Sequence, residues 1–231
     1  MAYALLTHAI ASSADSLGVT TGAIDTSGAS LLVVSLASHS GASENTLSDS
    51  KSNTWIPLTD PGGVIRLRLF YATNPTVGSG HTFTASDVVS SFPAVAVASF
   101  SGANTSSPFD VENGASGLSF TTLQPGSITP TEDNELVISA LTHQQLSDPV
   151  GIDGGFTITD QVQLVGGLAF GLAFAYLIQT SAAAANPTWS INDAANGSAV
   201  IASFKVPAAG GHPTSKRAGG VPYMRFPGRQ W

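Results

Sequence analysis

The sequence predicts an all-β protein: an antiparallel β-sandwich, jelly-roll-like, built from two similar halves and followed by an extended C-terminal arm. Three observations predict it. Short apolar segments alternate with period two, as half-buried strands do. Turn-forming pairs such as Asn113-Gly114, Asp153-Gly154 and Asn196-Gly197 separate them. Four of the segments then recur, in the same order, about a hundred residues later. Helical periodicity is almost absent, and only Ser86-Asp87-Val88-Val89-Ser90 could form a single helical turn.

The strands follow in order. Leu32-Val33-Val34-Ser35-Leu36-Ala37-Ser38-His39 lines up with Leu136-Val137-Ile138-Ser139-Ala140-Leu141-Thr142-His143. Residues 53–60, with Trp55, roughly answer residues 154–160, with Phe156. Residues 65–74 answer 168–180, and 94–100 answer 198–204. In the third segment Ile65, Leu67, Leu69 and Tyr71 alternate with Arg66 and Arg68. In its second copy Leu168, Phe170, Leu172, Phe174, Tyr176 and Ile178 share one face, and Ala169, Gly171, Ala173 and Ala175 the other. The large face predicts a core between sheets. The small one predicts close approach by another backbone or subunit. The body is expected over residues 1–207, with the repeat over roughly 28–104 and 132–206.

Composition supports this and removes other classes. Charged residues make up 10% of the 231 residues, against roughly 25% in an average soluble domain, and 24 Gly and 13 Pro punctuate the chain. That excludes a coiled coil, a charged disordered protein and a nucleic-acid binder relying on a basic face. A 42% hydrophobic share can furnish a real core in a chain long enough to bury ~70% of its extended surface. With no cysteine there is neither a disulfide nor a thiolate metal site. The start of the chain lacks the positive region of a signal peptide. Residues 164–178 carry no charge but number fifteen, where a spanning helix needs about 17–25. The expectation is a soluble protein made in a cytoplasm, without a membrane partner.

The net charge of −7 is unevenly placed. Residues 1–207 hold all 15 acids and four of the eight bases, a balance of −11, and residues 208–231 hold the other four bases, +4. The last segment is rich in Gly and Pro and mixes aromatic with basic residues, the types that anchor interfaces. Arg217, Tyr223, Arg225, Phe226, Arg229 and Trp231 are therefore expected to make an intersubunit contact. Packing back on the chain's own sandwich is the alternative.

With the strands in place, the wording of several segments is recognisable. Residues 48–55, 70–84 and 97–102, together with Pro130-Thr131-Glu132-Asp133-Asn134-Glu135-Leu136-Val137-Ile138, resemble β-sandwich modules of tailed-bacteriophage virion structural proteins. The resemblance covers most of residues 28–206 and rests on turns and core positions, so it brings no catalytic residues. It implies a virion structural component: a capsid decoration (cement) protein, or part of a tail or fibre. Its partners would be itself, as a homo-oligomer such as a trimer, and other virion proteins such as the major capsid protein. Its location would be the virion, after assembly in the host cytoplasm.

Candidate chemistry is sparse. His39 and His143 hold equivalent repeat positions and could meet, with Asp49 or Asp148, around a divalent metal, but no short His spacing supports a site. Glu112, Glu132, Asp133 and Glu135 could supply the two carboxylates of a glycosidase, yet they sit in turn-like segments where acids are usually solvated caps. No nucleophile elbow is present, and Gly78-Ser79-Gly80-His81 reads as a hairpin turn. Trp55, Trp189 and Tyr71 could stack on sugars in a glycan-binding adhesin module, against a competing role in the core. Four tail cations on an acidic body argue against nucleic acid as a partner. The expectation is a non-enzymatic protein with no catalytic residue, no cofactor and no metal.

Overall fold

The structure, a computed structural model, describes residues 2–14, 16–39, 46–144, 149–166 and 168–207. It is all-β. Among the described residues fourteen strands run in chain order: β1 (Ala4–Ser12), β2 (Ser16–Thr20), β3 (Leu31–Ser38), β4 (Thr46–Asp49), β5 (Ile56–Pro57), β6 (Arg66–Thr73), β7 (Phe83–Ser91) and β8 (Ala94–Ser101), then β9 (Phe109–Leu123), β10 (Leu136–His143), β11 (Gly151–Ile152), β12 (Thr157–Gly166), β13 (Leu168–Ile178) and β14 (Trp189–Phe204). The single helical turn that residues 86–90 could form is not made. Those residues lie in β7, whose pairing with β2 on one side and β4 on the other overrides a weak local preference.

The first eight strands form a five-stranded sheet in the order β1-β8-β3-β6-β5 and a three-stranded sheet in the order β2-β7-β4. That is jelly-roll order, with the short β5 joined to the larger sheet. The remaining six strands repeat it. One half of β9 pairs with the end of β14, giving β9-β14-β10-β13-β12, and the other half gives β9-β14-β11. So β9 does the work of β1 and β2, and β14 that of β7 and β8. Hydrogen bonds mark the equivalence. Asn74 N–H donates to the Ser30 carbonyl just before β3, and Gln179 N–H donates to the Glu135 carbonyl just before β10. Isolated bridges Ile24–His81 and Ile128–Ala185 occupy matching places.

The two jelly rolls pack through their larger sheets. Leu31, Val33, Leu67 and Phe100 of the first meet Ile138, Phe170, Phe174 and Phe204 of the second in one continuous core. The opposite faces have cores of their own. Leu32, Val34 and Val97 pack under Phe83 and Ala85 of the small sheet. In the second copy Ala173, Ala175 and Ala199 pack around Trp189, beneath Phe120, Leu123 and Ile152. The small-residue face of β13 is thus covered by this chain's own strands and is not left for another subunit. Large residues on both inner faces explain why the halves fuse: burying one Leu or Phe contributes about 1.5–3 kcal/mol, and neither sheet could leave that row in water.

Candidate functional site

The six arm residues Arg217, Tyr223, Arg225, Phe226, Arg229 and Trp231 lie outside the described residues, as does Asp148. The aromatic candidates for sugar stacking serve the fold. Trp189 is fully buried and its indole N–H donates to Ser139 Oγ at 2.9 Å. Tyr71 is buried, stacked on Phe109 at 6.0 Å. Trp55 is half-buried, edge-on to Phe83, and its N–H donates to Asp49 at 2.8 Å. His39 lies edge-on to Phe92, and His143 is buried in β10, opposite Gly171 of β13. Among the described residues no group of three or more His, Asp or Glu could hold a metal ion.

A polar hub that sequence spacing gives no hint of lies under the first jelly roll. Asp49, at the end of β4, accepts a hydrogen bond at Oδ1 from His81 Nε2 (2.9 Å), and His81 Nδ1 meets Thr26 Oγ1 (2.9 Å). The Thr26 hydroxyl also reaches the Gly78 carbonyl at 3.3 Å. The connectivity is that of a nucleophile–histidine–aspartate triad. Its geometry is not that of an active site, because the Asp49 and His81 side chains are 1% and 0% exposed and Thr26 is fully buried. Asp49 also accepts from the N–H groups of Lys51 (2.8 Å) and Asn53 (3.0 Å). Burial works against its carboxylate, but the bonds from His81, Lys51, Trp55 and Asn53 outweigh that and hold its pKa below the ordinary range. Thr26 meanwhile accepts from Gly78 N–H at 3.1 Å. The Gly78–His81 segment is therefore not a hairpin turn: it carries the chain from β6 in one sheet to β7 in the other and is pinned by this hub.

A second cluster sits where the two jelly rolls meet beside the last strand. Lys205 Nζ pairs with Asp110 Oδ1 at 2.9 Å, and Thr131 donates to Asp110 through both N–H (2.7 Å) and Oγ1 (3.0 Å). Glu135, expected as a solvated cap, is fully buried and accepts the Glu132 N–H at 2.9 Å. Desolvation pushes its pKa up; contacts with Ser203 and the Glu132 N–H oppose this, and neighbouring Asp110 adds to the rise. Desolvation also acts on Asp110, but Lys205, Thr131 and Glu135 prevail and lower its pKa. The two carboxyls are thus driven in opposite directions, Glu135 up and Asp110 down. Tyr3 closes the cluster by donating its hydroxyl to the Lys205 carbonyl at 2.8 Å; burial, then Glu135, keep that phenol from ionising. Of the remaining acids, Glu112 accepts from Thr59 N–H (3.0 Å) and Oγ1 (2.8 Å), and Asp133 accepts from Ala182 N–H (2.7 Å). These contacts hold segments of the body together.

Two hollows open along the seam where residues 59–64 of the first copy lie against β9 of the second: one of about 650 Å³ lined by Gly63, Val64, Ser116, Gly117 and Leu118, and a smaller one lined by Thr59, Pro61, Glu112, Asn113 and Gly114. Leu118 is 72% exposed and Val64 50%. Leu118 is conspicuous on a strand that reads Ser116-Gly117-Leu118-Ser119, and that polar setting was the available sequence signal for it. Gly63, at φ +103°, lets the loop approach β9, since a Cβ there would come within 2.8 Å of Ser116 Cβ.

Compared with family models, with curated proteins and with solved structures, the chain finds no match. Among the described residues, no helix is long and apolar enough to cross a membrane.

Proposed function

We propose that this chain is a non-enzymatic structural protein of a tailed-bacteriophage virion, a capsid decoration (cement) protein that binds neighbouring capsid subunits. The observation that carries the reading is the fused pair of jelly rolls. One core runs through both, so the body is a rigid block, and the triad-like hub and the acid pair are spent on holding that block together. A rigid block of low charge suits an assembly that covers broad surfaces, because few ions must be desolvated. The basic, aromatic C-terminal segment then supplies the contact to a neighbour, through Arg217, Tyr223, Arg225, Phe226, Arg229 and Trp231. The resemblance of the turns and core positions to virion sandwiches supports the same reading, and a tail or fibre component fits it as well.

The test is direct. Mass spectrometry of purified virions from the phage or prophage encoding the chain should find it as a stoichiometric component. Deletion of residues 208–231 should leave a folded body that no longer joins particles or multimers. Absence of the chain from purified particles overturns the reading, and so does normal assembly of the truncated chain.

A further inference from the structure

We infer that the surface over the seam of residues 59–64 and β9, with its two hollows, receives the C-terminal segment of a second copy of this chain. The inference rests on the reading of that segment as an intersubunit arm, and adds where the arm lands.

The two hollows of the seam differ in chemistry: Val64 and Leu118 make one apolar, and Glu112, whose oxygens also accept from Thr59, makes the other acidic. Six strand residues separate Leu118 from Glu112, roughly 20 Å at the rise of a strand. The arm carries the complementary pair at the same spacing: Tyr223 and Arg229 are six residues apart. Between them Pro227 disfavours a helix, and Phe226 adds apolar surface. An arm running antiparallel to β9 sets Tyr223 against Leu118 and Val64 and Arg229 near Glu112. The larger balance agrees, with −11 on residues 1–207 facing +4 on 208–231.

Length permits the exchange. β14 ends at Phe204, paired with Phe109 at the start of β9, and Leu118 lies nine residues further along, about 30 Å. The 18 residues from 205 to 222 span up to roughly 60 Å when extended. Each copy brings one arm and one seam, so mutual exchange satisfies both in a closed dimer or ring without another partner.

The chain has no cysteine, so two introduced thiols report one contact. Full-length Leu118→Cys carrying a mass tag is mixed with untagged full-length Tyr223→Cys and treated with a short bismaleimide. The expected product is a tagged–untagged pair, and a Leu118→Asp change without any thiol should weaken self-association in sedimentation by roughly tenfold or more. Cross-linking confined to single chains of the Leu118→Cys/Tyr223→Cys double variant overturns the inference, because the arm then folds onto its own body. Absence of any cross-link overturns it too. If deletion of 208–231 still abolishes assembly in that case, the arm stands and only its landing place falls. If the deletion leaves assembly intact, the intersubunit reading itself falls.

Discussion

The two jelly rolls share a strand order but stabilise it by different means. In the first, β1 and β2 are separate strands, as are β7 and β8, with Phe92-Pro93 between the latter pair, and the small sheet is pinned from below by Asp49, His81 and Thr26. In the second, β9 and β14 run unbroken across both sheets, and the place of His81 is taken by Ala185. There Trp189 is buried among Leu141, Val150, Ile191 and several alanines, with its indole N–H bonded to Ser139 and, among the described residues, no buried carboxylate beside it like Asp49. Where the strands are interrupted, a buried polar hub sits at the join; where they are continuous, the β9–β14 ladder shifts register between Ser190 and Gly197 and packing around Trp189 holds the crossing. The polar investment of the second copy moves to its seam with the first, where Glu135 stands at the position held by Ser30 in the other half.

Five substitutions would break or sharpen this contrast. Trp189→Ala should cost the most, about 3–5 kcal/mol in denaturant unfolding, because a fully buried indole leaves a cavity. Asp49→Asn keeps the shape of the hub but removes its charge, and should cost about 2–3 kcal/mol as charge-assisted bonds become neutral ones. If Asp49→Asn proves silent, the first half is held by packing after all and the contrast fails. Gly171→Ala places a methyl group on the His143 ring and should cost about 1–3 kcal/mol, read as a lower melting temperature.

The fourth is a pH effect. The folded state holds the Glu135 proton above the ordinary glutamate pKa, whereas the unfolded chain releases it there. Stability therefore falls as pH rises from that ordinary value to the raised one. Glu135→Gln removes this decline, while the acid-side loss from Asp49 and Asp110, whose pKa values are lowered, remains. Melting temperatures of both proteins across pH would show it as a difference in slope. The smallest effect belongs to His8→Ala: its pair with Asp160 at 2.8 Å links the halves through a side chain 41% exposed, and should contribute less than about 1 kcal/mol in a double-mutant cycle with Asp160→Ala.

The fold was legible in the sequence because alternation survives translation. Phe170, Leu172 and Phe174 do face one core, and Ala173 and Ala175 the other. The four matched segments fall on equivalent strands, β3 with β10, β5 with β12, β6 with β13 and β8 with the end of β14. The equivalence of β1 and β2 to β9 was not legible, since strands at a sheet edge need keep only their pairing and residues 4–20 and 109–123 share little else. The polar clusters were hidden for a different reason. Asp49 and His81 are 32 residues apart, and Glu135 acquires its partners only when Asp110 and Lys205 arrive from distant strands. The hollows of the seam were similarly silent, because Val64 and Leu118 become neighbours only through the packing of one half on the other.

β14 has one more consequence. Its last stretch lies between β9 and β10, paired to both along residues 198–204, and the chain continues from it towards the C-terminus. Tension applied there acts along the strand and meets two ladders in shear at once, with no exposed margin from which the strand could be unzipped. A tether fastened at this point would transmit force into the middle of the molecule before any part of the sheet gave way.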